Sequence, residues 1–424
     1  MTLDEFMQKH GLIWEFPHSC VFSVLSNGKD TIYWVDPDGF RKKCYFLVVD
    51  ETGLITGELS FSELYQKIDY LVENGWDSNR CFIKYPKFWI ADFAAGNKIS
   101  LTKGLGMSFR EEQRKWAEGL LKDFFKDPGN GKFNGKEYLF VLQNVFLNLW
   151  EGIREDSLSY FSDNNISWWE SDNYSPTGHL LSSQVACVNH LYLLRQRKDL
   201  ATAVLKNIDR DIISAERLDD GYVEFEVVGQ KNYLGERQHT RGANATSIDA
   251  MMLGRKARKN VLVSIEWKYT ENYSGECLYI EPRWKIYNPL LEEKDCPINS
   301  SIAKITDTEP FKSLYYEPFY QLMRQTLLSW KMADANEYGA DDYIHLHIVP
   351  DKNQEMLSPI TSKELQHIKN QNNDEPVDMQ DAWKSVLLDE SKYHLISPER
   401  FLKPLKNERD TKALLEYLNW RYWQ

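Results

Sequence analysis

The sequence lacks several features that define well-known protein classes. Its six cysteines are far apart and include no CxxC or CxxxxC pair, so reduced, buried thiols are expected instead of a disulfide scaffold or a zinc ribbon. No run of about eighteen apolar residues occurs, so no transmembrane helix is expected. The first ten residues show no basic stretch followed by an apolar run, so they do not predict a signal peptide. We expect a cytoplasmic protein that does not bind membranes.

Positive charge is in deficit. Lys and Arg total 51 and Asp and Glu total 63, giving a formal charge of 51 − 63 = −12. A surface that is basic throughout is therefore excluded, and any site for a polyanion must be a local basic patch. The hydrophobic fraction of 42% is that of a folded chain, and a length of 424 residues predicts two or three domains.

The N-terminal part predicts a small α+β unit. Two apolar runs within residues 31–50 flank an Asp-Pro-Asp-Gly turn, which indicates a β-hairpin, and a capping box at Ser60 begins a predicted helix. Two amphipathic helices are predicted at 108–125 and 136–153. The polar run that follows is the predicted domain boundary, so residues 1–155 form an N-terminal α+β accessory region of unknown role and residues 156–424 form the second domain.

The second domain reads as an α/β structure. The predicted elements are helix 180–205, strands 222–228, 247–253 and 260–268, helix 315–333 and strand 343–349. This order predicts a mixed central sheet flanked by helices.

The strand that ends at Lys268 carries a candidate active site. Glu266 and Lys268 are two residues apart and therefore face one side of the strand, and Asp249 lies on the preceding predicted strand. If these strands pair, Asp249 comes near Glu266. Two carboxylates that share a site repel each other unless a cation lies between them, and carboxylate oxygens suit Mg²⁺. A neighbouring lysine can orient the attacking water and stabilise charge on a phosphate, which is the equipment for phosphodiester hydrolysis.

The acid-x-Lys triplet alone is weak support, because it also occurs at Glu292, Glu390 and Asp410. The alternative is a surface ion pair at a strand end. The surroundings favour the active site, since residues 229–270 contain eight Lys or Arg and three acids, a local charge of 8 − 3 = +5. This is the local basic patch that binding of nucleic acid requires.

At these residues the sequence resembles the PD-(D/E)xK nuclease superfamily and, within it, a family of bacterial restriction endonucleases. The similar segments are GHLLSSQVACVN (178–189), TRGANATSID (240–249), IEWK (265–268) and YEPFYQLMRQ (316–325). The resemblance implies a restriction-endonuclease-like fold in which Asp249 and Glu266 bind a metal ion, Mg²⁺ or Mn²⁺, and Lys268 is catalytic. Ser-Ile-Asp stands where Pro-Asp is usual, and Gln184 stands where many members have Glu. Glu226 is the candidate for a third carboxylate, with Glu224 as the alternative.

Several polar residues are candidates for contacts with nucleic acid. They are Ser183, Gln184, Asn189, Arg241, Arg255, Lys256, Arg258 and Lys259. Ser-Ser-Gln before an apolar helix is equally typical of a helix N-cap, and the basic cluster 255–259 is equally typical of a solvated turn. His345 and His347 share one strand face and are expected to be structural.

The leading hypothesis is a Mg²⁺-dependent endonuclease of restriction or defence type that acts on double-stranded DNA, with a homodimer as a further expectation. The first alternative is a repair or RNA nuclease of the same fold, because the active site contacts only the phosphodiester. The second is a non-catalytic nucleic-acid-binding protein. Recognition sequence and dependence on methylation are not readable from the sequence.

Overall fold

A computed structural model of the protein describes residues 1–10, 20–36, 45–59, 64, 71, 77–78, 108–169, 171, 175–241, 245–272, 277–298, 311–357 and 378–423. The chain forms two compact units, Met1–Ser108 and Phe109–Gln424. The division precedes the predicted boundary near residue 155, because Phe109, Leu149 and Ile153 are buried in the main core of the second unit.

The first unit is an antiparallel sheet with one described helix. Helix α1 is Leu3–His10, and the strands are β1 (Cys20–Ser26), β2 (Thr31–Asp36), β3 (Tyr45–Val49), β4 (Ile55–Leu59) and β5 (Asp77–Ser78). Their order is β4-β3-β2-β1-β5. Pairing of β2 with β3 confirms the strands of the predicted hairpin. The turn of that hairpin and most of the helix predicted from Ser60 lie outside the described residues.

The second unit begins with helices and a short hairpin. Its helices are α2 (Phe109–Leu120), α3 (Arg154–Asp163), α4 (Ser183–Gln196), α5 (Lys198–Ile208), α6 (Glu281–Leu291), α7 (Phe319–Asp334), α8 (Gln354–Leu357), α9 (Met379–Ser385), α10 (Pro398–Phe401) and α11 (Lys412–Arg421). Its strands are β6 (Gly131–Phe133), β7 (Lys136–Tyr138), β8 (Ser214–Glu216), β9 (Glu224–Val227), β10 (Ile248–Arg255), β11 (Asn260–Trp267), β12 (Asp342–Ile348) and β13 (Tyr393–Ile396). No helix in these described stretches is long and apolar enough to cross a membrane.

A six-stranded mixed sheet is the centre of this unit. Its order is β13-β12-β11-β10-β8, and β9 also pairs with β10. Strand β10 is antiparallel to β8, β9 and β11, whereas β11, β12 and β13 run parallel. The run Val-Leu-Val-Ser-Ile in β11 is buried on both faces, as central strands of mixed sheets are. The predicted mixed sheet flanked by helices is therefore present.

Helices cover both faces of the sheet. Leu191 of α4 and Val204 of α5 pack in one core with the β11 residues Val263 and Ile265. Met323 of α7 packs in a second core on the opposite face. Because side chains alternate along β11, odd-numbered positions face α4 and α5, and even-numbered positions face α7.

Two predicted helices differ from the structure. The helix predicted at 136–153 is wrong, because Asn134 and Gly135 both adopt positive φ, 50° and 76°, which forms the turn of the β6–β7 hairpin. The helix predicted at 180–205 is two helices, since Arg197 is extended (φ −122°, ψ 102°) between α4 and α5. Apolar residues continue at helical spacing through this break, so periodicity alone gave no sign of it.

Candidate active site

The β10–β11 hairpin brings two predicted carboxylates together. Ala250 pairs with Ile265, so one further step along the ladder places Asp249 opposite Glu266, both directed to the α7 face. Asp249 Oδ2 accepts a hydrogen bond of 2.7 Å from the backbone N–H of Trp267. Glu266 is 1% exposed, whereas Asp249 is partly exposed. One carboxylate is therefore fixed in the interior and the other reaches solvent.

Lys268 projects from the same side of the chain as Glu266. Its Nζ lies 2.5 Å from Glu266 Oε1 and donates a hydrogen bond of 2.7 Å to Gln321 Oε1 on α7. Burial alone would lower the pKa of Lys268, but the charges of Glu266, Glu271 and Asp249 raise it above its usual value. The ammonium therefore stays charged, and its side chain keeps 13% exposure, enough to meet a ligand.

Glu226 approaches the pair from β9. Its Oε1 accepts from Gln184 Nε2 at 2.9 Å, and its Oε2 accepts from the Ser247 hydroxyl at 3.0 Å. Burial raises the pKa of Asp249, and the charges of Glu266 and Glu226 raise it further. Three acidic side chains therefore share one electrostatic environment, in which an added cation is favoured.

The backbone at Glu226 is in the left-handed region, with φ of 52°. Such a conformation costs a non-glycine residue about 1–2 kcal/mol. Arg241 counters the cost by donating hydrogen bonds to the carbonyl oxygens of Phe225 and Glu226, and it also bonds the hydroxyl of Tyr160. Arg241 was predicted to contact nucleic acid, but the structure engages its guanidinium in holding β9.

Glu224 does not belong to this group of carboxylates. It forms an ion pair with Arg195 and accepts a hydrogen bond of 2.6 Å from Tyr160. Its carboxylate is therefore satisfied by its own partners, and Glu226 is the β9 carboxylate that shares the environment of Asp249.

The strain at Glu226 makes a stability prediction. The Glu226→Gly variant should have a free energy of unfolding about 1 kcal/mol higher than the Glu226→Ala variant, because glycine adopts positive φ freely and alanine does not. Both variants remove the same carboxylate, so the difference between their free energies of unfolding reports the cost of the positive φ at this position. Urea denaturation monitored by tryptophan fluorescence measures that difference. At an unstrained strand position the order is reversed, so an alanine variant as stable as the glycine variant would contradict the assignment.

The first turn of α4 lies beside this site, but only some of the α4 residues that were predicted to contact nucleic acid are near the carboxylates. Ser182 caps the helix by accepting from the N–H of Val185. Ser183 is half-buried in the first turn. Gln184 accepts from the N–H of Trp169 while donating to Glu226, so it orients a carboxylate instead of replacing one.

Asn189 corrects the sequence prediction of a contact with nucleic acid. Its side chain is fully buried, accepts from the N–H of Trp150, and donates to Asn148 and Tyr422. It therefore ties α4 to the loop before α3 and to the C-terminal segment.

The basic turn between β10 and β11 lies at the other end of the hairpin from the carboxylates. Six residues of extended strand separate Asp249 from Arg255, about 20 Å. Lys256 pairs with Asp209, and Lys259 pairs with Asp342. Of the four predicted cations in the turn, only Arg255 and Arg258 are exposed without an ion pair within the described ranges.

Helix α7 supplies site residues that the sequence analysis did not single out. Gln321, Gln325 and Ser329 are four residues apart on one helix face. They contact, in turn, Lys268, which directly follows β11, and Glu266 and Ser264 within β11. The i, i+4 spacing of the two glutamines within the segment 316–325 was the available signal.

The residues fit a hard divalent cation. Within the described ranges, no three His, Cys, Asp or Glu side chains are grouped so as to hold a metal ion. Two carboxylates suffice for Mg²⁺, however, which retains waters and binds substrate oxygens. Glu266 Oε1 is buried and faces the Lys268 ammonium, and a carboxylate oxygen has a second lone pair with which it can bind a cation beside the lysine.

The comparisons with known proteins identify the family. A family model described as Restriction Endonuclease associating with ARP matches residues 118–423. The chain belongs to this restriction endonuclease family. Membership indicates a nuclease of restriction type that acts on DNA, and the match covers all of the elements that carry the site. No curated protein and no solved structure matches the chain.

Proposed function

We propose that this member of the restriction endonuclease family is a metal-dependent endonuclease of the PD-(D/E)xK type that hydrolyses DNA phosphodiester bonds in restriction or defence. The observation that carries the proposal is the placement of Asp249 opposite Glu266, on one sheet face, with Lys268 held beside them. Asp249 and Glu266 are the proposed ligands of Mg²⁺ or Mn²⁺. Such an ion activates water and stabilises negative charge on the phosphate.

The protein's own groups perform the remaining tasks. Lys268 carries a charge that its acidic neighbours maintain, and it can donate to a phosphate oxygen or hold the attacking water. Gln321 fixes the direction of that ammonium. Glu226 adds negative charge beside the two ligands, and this charge favours a divalent cation over the lysine alone.

Cleavage of plasmid DNA tests the proposal. Purified full-length protein should cut supercoiled plasmid with Mg²⁺ or Mn²⁺ and should be inactive with EDTA. Parallel incubation with single-stranded DNA and with RNA separates the alternative nuclease of the same fold. Retention of DNA without any cutting, at every metal tested, would support the non-catalytic alternative and contradict the proposal.

The two exposed arginines are the proposed phosphate ligands of the basic turn. Arg255→Ala with Arg258→Ala should reduce the salt dependence of DNA binding by about 0.9 in the log–log slope for each phosphate that is no longer neutralised. Lys256→Ala with Lys259→Ala is the matched control: the same charge is removed from the same turn, but these lysines are occupied by Asp209 and Asp342, so the slope should stay. An equal change in both pairs would contradict this division of roles.

Two expectations remain predictions. The family match begins after Met1–Ser108, which is consistent with the proposal that the N-terminal unit is an accessory module. The predicted homodimer is measured by light scattering of the full-length protein.

A further inference from the structure

A chain of hydrogen bonds runs through the interior to the buried oxygen of Glu266. Thr326 Oγ1 lies 3.0 Å from His345 Nδ1, and His345 Nε2 lies 3.1 Å from Gln325 Oε1. Gln325 Nε2 contacts Glu266 Oε2 and lies 3.0 Å from the carbonyl oxygen of Ser247. Thr326, His345, Gln325 and Glu266 are each at most 2% exposed, so water does not complete these bonds.

The direction of every bond in the chain is determined. The Gln325 nitrogen faces two groups that only accept, the carboxylate of Glu266 and the carbonyl of Ser247, so it must be the NH₂. Gln325 Oε1 therefore faces His345, whose Nε2 must carry the proton. Burial lowers the pKa of His345 to about 3, so the ring is neutral, and its Nδ1 accepts from the Thr326 hydroxyl.

We infer that His345 is a positioning residue for the metal-binding carboxylate. By donating to Gln325 Oε1, the ring fixes the orientation in which the Gln325 amide donates to Glu266. The inference rests on the proposed role of Glu266 and adds two residues, His345 and Gln325, that do not themselves touch the metal ion or DNA. Partners of this kind orient a ligand and are typically worth 10–100-fold in metal affinity or activity.

His347 provides an internal comparison. It is on the same strand, equally buried, and directly beside Glu266 in the β11–β12 register. Its Nδ1 lies 3.0 Å from the Tyr393 hydroxyl, and among the described residues its Nε2 has no hydrogen-bond partner. A histidine can therefore lie close to Glu266 in this sheet without belonging to the chain that holds it.

The inference is tested by measuring the affinity of the full-length protein for Mn²⁺ by calorimetry in the absence of DNA. His345→Phe keeps the ring volume and removes the donor, so affinity should fall roughly 10–100-fold, and kcat should fall with it while DNA affinity in EDTA is unchanged. His345→Gln should recover most of the affinity, because the glutamine amide can present an N–H to Gln325. His347→Phe should not show this loss of roughly 10–100-fold, because His347 makes no hydrogen bond to the residues that hold Glu266 within the described part of the chain.

The outcomes separate this inference from the proposed function. His345→Phe with wild-type Mn²⁺ affinity, or His347→Phe with an equal loss, overturns the positioning role. Mn²⁺ binding that is unchanged in the Glu266→Gln variant overturns the proposed function instead. The tautomer of His345 provides a measurement that needs no metal. In ¹⁵N-histidine-labelled protein, long-range ¹H–¹⁵N correlations should show that His345 is protonated at Nε2. Protonation at Nδ1 would contradict the proposed series of hydrogen bonds, independently of any result on metal binding.

Discussion

Glu266→Gln should abolish metal-dependent cleavage, with a fall of about 10³-fold or more, corresponding to at least about 4 kcal/mol of lost transition-state stabilisation. The substitution conserves shape but removes the negative charge opposite Asp249. The two oxygens of Glu266 face two donors, the Gln325 NH₂ group and the Lys268 ammonium, and an amide offers only one acceptor oxygen, so its NH₂ must meet one of those donors. Both effects reduce affinity for a divalent cation. Calorimetry with Mn²⁺ should therefore show a loss of binding that parallels the loss of cutting.

Asp249→Asn should have the same consequence for cleavage, because the two carboxylates share the site. The matched control is Glu390→Gln. Glu390 and Lys392 repeat the acid-x-Lys triplet, but Glu390 is exposed on a separate turn, so this variant should cut at the wild-type rate. Glu266→Gln that folds and still cuts at an unchanged rate would show that the site is elsewhere.

The candidate site was predictable from the sequence because it depends on short-range rules. Alternation along a strand places Glu266 and Lys268 on one side of the chain, and an apolar run predicts β11. The register between β10 and β11 then follows from a turn of a few residues. The sequence predicted that Asp249 comes near Glu266 if the two strands pair, and the register of the β10–β11 ladder places it opposite Glu266.

Features that depend on distant contacts were not predictable in the same way. Asparagine is usually a surface residue, but the side-chain amide of Asn189 is hydrogen-bonded to Trp150 and Tyr422 inside the core. The positive φ of Glu226 is accompanied by hydrogen bonds from Arg241 to the carbonyl oxygens of Phe225 and Glu226, whereas the basic character of Arg241 indicated a contact with phosphate. The spacing of Gln321 and Gln325 places them on one helix face, but the contact of Gln325 with Glu266 depends on the packing of α7 against β11, which local spacing does not specify.

Lys268→Met should separate catalysis from metal binding. Cleavage should fall about 10²–10³-fold, the usual consequence of removing one donor that stabilises transition-state charge. Mn²⁺ affinity should stay or increase, because Lys268 Nζ lies 2.5 Å from Glu266 Oε1 and its charge competes with a cation for that oxygen. Glu266→Gln loses both properties, whereas Lys268→Met should lose only one. Single-turnover cleavage and calorimetry on the same preparations measure the difference.

Stability provides the control for this variant. Without Lys268, Glu266 is a buried carboxylate that has lost its ion pair, a defect that costs about 3–5 kcal/mol in other proteins. The melting temperature of Lys268→Met should therefore fall in EDTA and recover with Mn²⁺, since a ligand that binds the folded state stabilises it by mass action. Gln321→Leu keeps the lysine but removes its hydrogen-bond acceptor, so it should reduce cleavage by a smaller factor with little change in melting. If Lys268→Met instead loses Mn²⁺ binding as completely as Glu266→Gln, the lysine supports the carboxylate structurally and the catalytic role assigned to it is wrong.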